Sequence, residues 1–145
     1  MTTSVFFYGL YMDTSLLESM GLRPRQIGAA RLDGFQLRIG ERATLVPAPG
    51  GSAYGFLIDL SEGEVAELYS RPEVRGYIPE SVTVLLLEDS SQHRAVCYVL
   101  PSEEPNSGAD AQYAASLAAL VARLGLPTEY AREVARLGDG RSGAN

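Results

Sequence analysis

The stretch S-V-F-F-Y-G-L-Y-M-D-T-S-L-L, Ser4 to Leu17, decides how the rest of the chain is read. Val5 to Phe7 is an apolar run suited to a buried strand, and Tyr8-Gly9 breaks it. Asp13 stands where a helix wants a side-chain acceptor for the backbone N–H groups of its first turn. Leu16, Leu17 and Met20 follow at helical spacing, and Met12 and Leu17 flank the cap as a hydrophobic staple would. Strand, glycine turn and helix start, in that order, gather unpaired N–H groups and the positive end of a helix dipole at one spot. Such a spot suits a small anion such as a carboxylate. A plain strand-to-helix connection with no ligand has the same local pattern.

Outward from that stretch, the bulk properties set the class. A chain of 145 residues has the length of one domain, expected over residues 1–137 with a short polar tail at 138–145. Hydrophobic residues at 46% and charged residues at 21% fit a folded globular protein, not a disordered one. A net charge of −6, with no dense Lys/Arg cluster, speaks against nucleic acid as a partner, since phosphate-backbone binding runs on clustered cations. No apolar run approaches the roughly 20 residues of a spanning helix, so no membrane association is expected. The chain enters a strand almost at once, with no visible signal peptide, and its single cysteine, Cys97, rules out an internal disulfide framework. A cytoplasmic location is the expectation.

The remaining elements follow in order. Gly21 is a helix stop and residues 22–25 a loop. Ile27 to Leu32 reads as a strand, Asp33-Gly34 as a turn, and Phe35, Leu37 and Ile39 alternate as a half-buried strand does. Thr44 to Val46 is short and strand-like, and Pro49-Gly50-Gly51 is the clearest turn signal in the chain. Ala53 to Leu60 is a strong strand, with Gly55 marking a bulge or a close backbone approach. Ser61 and Glu64 have capping-box spacing ahead of a short helix carrying Val65, Leu68 and Tyr69, which Pro72 stops. Residues 71–80 are irregular. Val82 to Leu87 reads as a strand buried on both faces, Ser90-Ser91 as a turn and Ala95 to Leu100 as its hairpin partner. A polar loop at 101–108 leads to two helices, one built on Ala114, Leu117, Ala118, Val121 and Leu124, the other on Tyr130, Val134 and Leu137. Strands in the middle with helices inserted and at the end predict an α+β fold with a mixed, mainly antiparallel sheet.

Several chemistries are excluded by their missing parts. His93 and Cys97 lie four apart on one strand face, but no further ligands stand at metal-site spacing, so no metal is expected. No G-x-S-x-G elbow occurs, and a phosphate loop is impossible in a chain without lysine. Gly9 stands alone in its turn, which removes a dinucleotide fingerprint. What remains is a carboxylate: Glu73, in a loop that starts where a helix has stopped, or Glu80, ahead of the strand at Val82. Shielded by Tyr8 and Tyr77, either would be desolvated toward a neutral pKa and serve as a general base and acid. The plain alternative is a solvated glutamate beside core tyrosines.

The run V-F-F-Y-G-L-Y-M-D, Val5 to Asp13, resembles the opening of the gamma-glutamylcyclotransferase-like family, an apolar strand followed by Y-G-S-N-[LM] and a helix. The runs G-F-Q-L-R-I-G, A-T-L-V-P and S-A-Y-G-F-L-I-D-L-S, followed by a short helix, are similar to the family's segment ahead of its catalytic loop. The resemblance spans about Val5 to Leu87. It implies a compact β-barrel-like α+β fold with flanking helices and a cavity at the Tyr8–Met12 loop. It also implies a cofactor-free reaction in which the α-amine of a γ-glutamyl compound attacks its own γ-carbonyl, closing 5-oxoproline and releasing an amine or amino acid. On the family pattern Glu73 is the acid/base; Tyr8, Gly9, Leu10, Tyr11, Met12 and Tyr77 bind the substrate. Leu10 and Tyr11 replace the family's Ser and Asn, which keeps the backbone donors and removes two side-chain ones. A protein that holds a small carboxylate in the same pocket without turning it over is the alternative.

Overall fold

Five strands close into a barrel in the order β1-β3-β2-β4-β5 in this computed structural model, which describes residues 2–40, 43–100 and 111–137, Glu73 by its backbone alone. The polar loop expected at 101–108 and the tail at 138–145 lie outside the described residues. β1 (Thr2–Phe7) pairs antiparallel with β3 (Ala43–Ser61) and parallel with β5 (Gln92–Val99), where Val5 lies beside Val96. β2 (Arg25–Ile39) joins β3 to β4 (Ile78–Leu86), and β4 pairs with β5 as the expected hairpin. All pairs except β1–β5 are antiparallel, so the sheet is mixed and mainly antiparallel as predicted.

Register sorts the side chains into two faces. Phe6 pairs with Leu57, Ala30 with Gly55 and Leu86, and Val82 with Ala95, all on one face. Val5, Phe7, Phe56, Ile58 and Tyr98 lie on the other. Helices and tyrosines from outside the sheet pack against this second face, so the first is the barrel interior; its small residues, Ala30, Ala53 and Gly55, keep it narrow. Val5, Phe6 and Phe7 are at most 3% exposed, so this end of β1 is buried on both sides, as are Phe56 to Ile58 of β3 beside it.

Two predicted turns are not chain reversals. Asp33-Gly34 and Pro49-Gly50-Gly51 sit opposite each other within the β2–β3 ribbon, where Asp33 pairs with Ser52 and Phe35 with Pro47. Gly34, at φ +89°, faces the longer excursion of residues 48–51, and this bulge bends the ribbon without breaking it. The reversal falls instead between Ile39 and Ala43. Turn-forming residues serve a bulge as well as a hairpin, so local sequence signals a bend and leaves its type open. β4 also differs from expectation. It starts at Ile78, and only Val84 and Leu86 are buried, on its inner side, while Leu87 is 38% exposed. The strand has a covered and a wet face despite its continuous apolar run.

The helices follow the cap signals. Asp13 accepts the Ser15 N–H at 3.0 Å and starts α1 (Thr14–Ser19). Met12 and Leu17 are both fully buried. Ser61 and Glu64 form both halves of the capping box that opens α2 (Glu62–Leu68). α3 (Ala111–Arg123) buries Ala114, Leu117, Leu120 and Val121, and α4 (Thr128–Leu137) buries Tyr130 and Val134. The Tyr130 ring lies 4.9 Å from that of Tyr54 on β3. Arg123 reaches Asp13 at 3.3 Å, tying the end of α3 to the start of α1. Among the described residues no helix is long and apolar enough to cross a membrane.

Candidate active site

A cavity of about 250 Å³ opens where β1 runs out. Phe7 ends the strand, Tyr8 continues it at 6% exposure, and a single 3-10 turn, Leu10–Met12, carries the chain to the Asp13 cap. Tyr8, Gly9, Leu10 and Tyr11 form one wall. Tyr69, at the end of α2, Tyr98 on β5 and Tyr113 on α3 form others, and Val74 and Tyr77 close it from the segment before β4. Six of the chain's eight tyrosines therefore converge on one cavity. The bent ribbon supplies Ala43, whose carbonyl accepts the hydroxyl of Tyr77.

The aromatic walls are ordered by contacts with each other. The rings of Tyr69 and Tyr98 stack at 3.8 Å and 13°. Tyr11 meets Tyr69 edge-on at 6.4 Å and Phe7 edge-on at 6.3 Å, the T-shaped arrangement that aromatic quadrupoles favour. The Tyr8 hydroxyl is engaged inside the protein. Tyr8 donates to the Tyr98 carbonyl at 2.7 Å, and the Thr44 hydroxyl hydrogen-bonds the Tyr8 oxygen. Thr44 is itself fixed by accepting the Leu100 N–H at 2.9 Å.

Gly9 is needed for closeness, not for an unusual dihedral. Its backbone is extended, at φ −112°, and a Cβ there would lie 2.9 Å from Tyr113 Oη. The Leu10 amide hydrogen-bonds that same Tyr113 oxygen. Met12 N–H donates to the Gly9 carbonyl at 3.0 Å, and the fully buried Met12 side chain is not part of the lining. Of the expected binding residues, the structure thus brings Tyr8, Gly9, Leu10, Tyr11 and Tyr77 together and leaves Met12 aside. The backbone of Glu73 lies in the 3-10 turn Pro72–Val74, one residue before the lining Val74, and its side chain lies outside the described part of the structure.

Burial decides which of these groups can move a proton. Desolvation raises Tyr8 and Tyr69 well above the usual phenol value and also raises Tyr98 and Tyr113, so these four stay neutral through the physiological range. Cys97 faces the barrel interior at 1% exposure, and burial, then the charge of Glu80, push its thiol up to about 12. It is a core residue and not a thiolate nucleophile. Glu80 pairs in register with Cys97 and so occupies the inner side of β4, at the exposed end of the strand and outside the lining. His93 is half-buried, with Nε2 2.9 Å from Ser91 Oγ.

Tyr69, Tyr98 and Tyr113 were not singled out from sequence. They are far apart along the chain, and only the abundance of tyrosine in a chain without tryptophan hinted at an aromatic site.

Comparison with known proteins agrees with this architecture. The family model described as gamma-glutamyl cyclotransferase, AIG2-like, matches residues 5–118. No curated protein sequence matches the chain at a significant level. A solved gamma-glutamyl cyclotransferase superimposes with a TM-score of 0.80 at 20% identity, over 92% of this chain and 86% of that one. The human protein loc79017 gives 0.79 at 20% identity over the same shares. A yeast gamma-glutamyl cyclotransferase specific to glutathione gives 0.56 at 16% identity, over 95% and 96% of the two chains. With the family match running from β1 into α3, across the strand end, the tyrosine walls and the segment before β4, the chain belongs to the gamma-glutamyl cyclotransferase, AIG2-like family and is an enzyme of that type.

Proposed function

We propose that the protein converts a small γ-glutamyl compound to 5-oxoproline and a free amine or amino acid. The substrate's α-amine attacks its γ-carbonyl carbon, a new C–N bond closes the five-membered ring, and the original amide C–N bond breaks. One proton passes from the attacking nitrogen to the departing one, with Glu73 as the carrier. Atoms and charge balance without a cofactor. Folding the substrate inside a small cavity brings amine and carbonyl together, and proximity supplies much of the acceleration. The observation that carries this reading is the cavity itself: it joins the Tyr8–Tyr11 turn to Val74, the last residue of the Glu73 turn, and to Tyr77 beyond it. Phenols held neutral by burial leave proton transfer to a carboxylate. A cytoplasmic enzyme is the setting this chemistry suits.

The test is 5-oxoproline release from a panel of γ-glutamyl amides. Wild type should turn over at least one, Glu73→Gln should lower kcat/KM by about 10²-fold or more, and Glu80→Gln should stay within a few-fold. Full activity in Glu73→Gln removes the role assigned to it, and loss confined to Glu80→Gln transfers that role to Glu80. A second reading, a carboxylate-binding protein without turnover, draws on the absence of any charged side chain among the described lining residues. It predicts no 5-oxoproline from any substrate, together with a rise in Tm on adding 5-oxoproline or glutamate.

A further inference from the structure

The backbone donors of the turn after β1 do not all go to the same kind of partner. The N–H groups of Met12 and Asp13 are spent inside the turn, on the Gly9 and Leu10 carbonyls at 3.0 and 3.2 Å. The Leu10 N–H goes instead to a side chain from another element, the phenol oxygen of Tyr113 in the first turn of α3. That oxygen lies 2.9 Å from where a Cβ on Gly9 would stand, so the hydroxyl rests against the backbone of the turn. Gly9, Leu10 and Tyr113 all line the cavity, so this bond is made at its wall.

The two kinds of bond differ in what it takes to break them. A bond inside the 3-10 turn opens only if the turn does. The bond to Tyr113 opens when one side chain changes rotamer. Burial keeps that phenol un-ionised, so it offers the Leu10 N–H a neutral acceptor. A carboxylate offers a charged one, and charge-assisted hydrogen bonds are roughly twice as strong as neutral ones. We propose that Tyr113 is an internal stand-in for a ligand carboxylate: its hydroxyl holds the Leu10 amide while the site is empty, and binding exchanges phenol oxygen for carboxylate oxygen at that N–H. The stand-in spares the empty site a buried donor without a partner. It also weakens apparent affinity, because a ligand binds only the fraction of molecules in which the phenol has let go. The inference rests on the reading of this cavity as the seat of a γ-glutamyl compound and its 5-oxoproline product, and assigns the residue that sets affinity there.

The experiment is calorimetry on the full chain, wild type against Tyr113→Phe, which keeps the ring and removes the hydroxyl. The probes are 5-oxoproline and 2-pyrrolidinone, the same ring without its carboxylate. The variant should bind 5-oxoproline about fivefold more tightly, the worth of one net hydrogen bond, and 2-pyrrolidinone as wild type does. Weaker binding of 5-oxoproline would mean that the hydroxyl contacts the ligand, and overturns the proposal. So does an equal gain for both probes, which a roomier cavity would give, and so does an unchanged affinity or no binding by either protein. Amide hydrogen exchange gives a second readout. The Leu10 N–H should exchange faster in the empty variant than in empty wild type, and saturating 5-oxoproline should bring both to one slower rate. Equal exchange in the two empty proteins overturns the exchange of acceptors. Turnover is scored apart, by 5-oxoproline release from γ-glutamyl amides. Its absence with the affinity gain intact sinks the cyclotransferase reading alone; its presence with no gain sinks the stand-in alone.

Discussion

Gly9 and Gly55 both lack a side chain because something else occupies the place of a Cβ, yet they differ in what could yield. At Gly55 a Cβ would lie 2.0 Å from the Phe7 carbonyl oxygen, part of the β1 backbone held by the ladder to β3. At Gly9 it would meet the tip of Tyr113, 2.9 Å away, a side chain that can rotate. Gly55→Ala should therefore remove more than about 4 kcal/mol or prevent folding, since neither strand can move without breaking the sheet. Gly9→Ala should cost about 1 kcal/mol and displace Tyr113 from the cavity. Paired urea denaturation of the two variants checks the contrast; equal losses would mean that the Tyr113 position is as rigid as backbone.

α2 shows how a local signal acquires a tertiary role. Its capping box is readable from Ser61 and Glu64 alone. The Glu64 carboxylate, however, also accepts the Arg23 N–H at 2.8 Å, which pins the loop after α1 to the start of α2. These amide donors, Ser61 first and Arg23 second, hold Glu64 below the ordinary carboxylate range. Ser61→Ala removes one half of the box and should lower stability by about 1 kcal/mol, seen as a lower urea midpoint at unchanged slope. A changed slope would indicate that α2 unfolds separately from the barrel. The placement of Tyr69 depends on this element, because it caps the C-terminal end of α2 and turns from there onto Tyr98.

For the whole molecule, the buried acids set an alkaline limit. Cys97 has an ordinary value of 9.0 and is pushed up to about 12, and burial raises Tyr8 and Tyr69 above their ordinary 10.0. In the unfolded chain these groups release protons as pH passes 9 to 10, while the folded chain still holds them. The folded state then binds more protons than the unfolded one, so stability falls as pH rises through this window and is unaffected by these groups below it. Each such group contributes a slope of about 1.4 kcal/mol per pH unit between its two values. Urea midpoints from pH 8 to 11 should be flat at first and then fall, and Cys97→Ala should make the fall shallower between pH 9 and 10. An unchanged slope in that variant would place the titrating thiol outside the core.

The local sequence determined what local physics can determine. The strand Val5–Phe7, the Asp13 cap, the Ser61–Glu64 box, the hairpin of β4 and β5 and the two closing helices are each written in neighbouring residues, whereas a cavity at the Tyr8–Met12 loop was implied only by the family resemblance. Tertiary structure decided the rest. It made Asp33-Gly34 and the proline–glycine run after Pro47 into one bulge in a continuous ribbon, because bulge and hairpin ask for the same residue types and differ only in what the partner strand does. It also drew Tyr69, Tyr98 and Tyr113 around Gly9 from α2, β5 and α3. Barrel closure sets those contacts between residues far apart in the chain, and no spacing along the sequence records them.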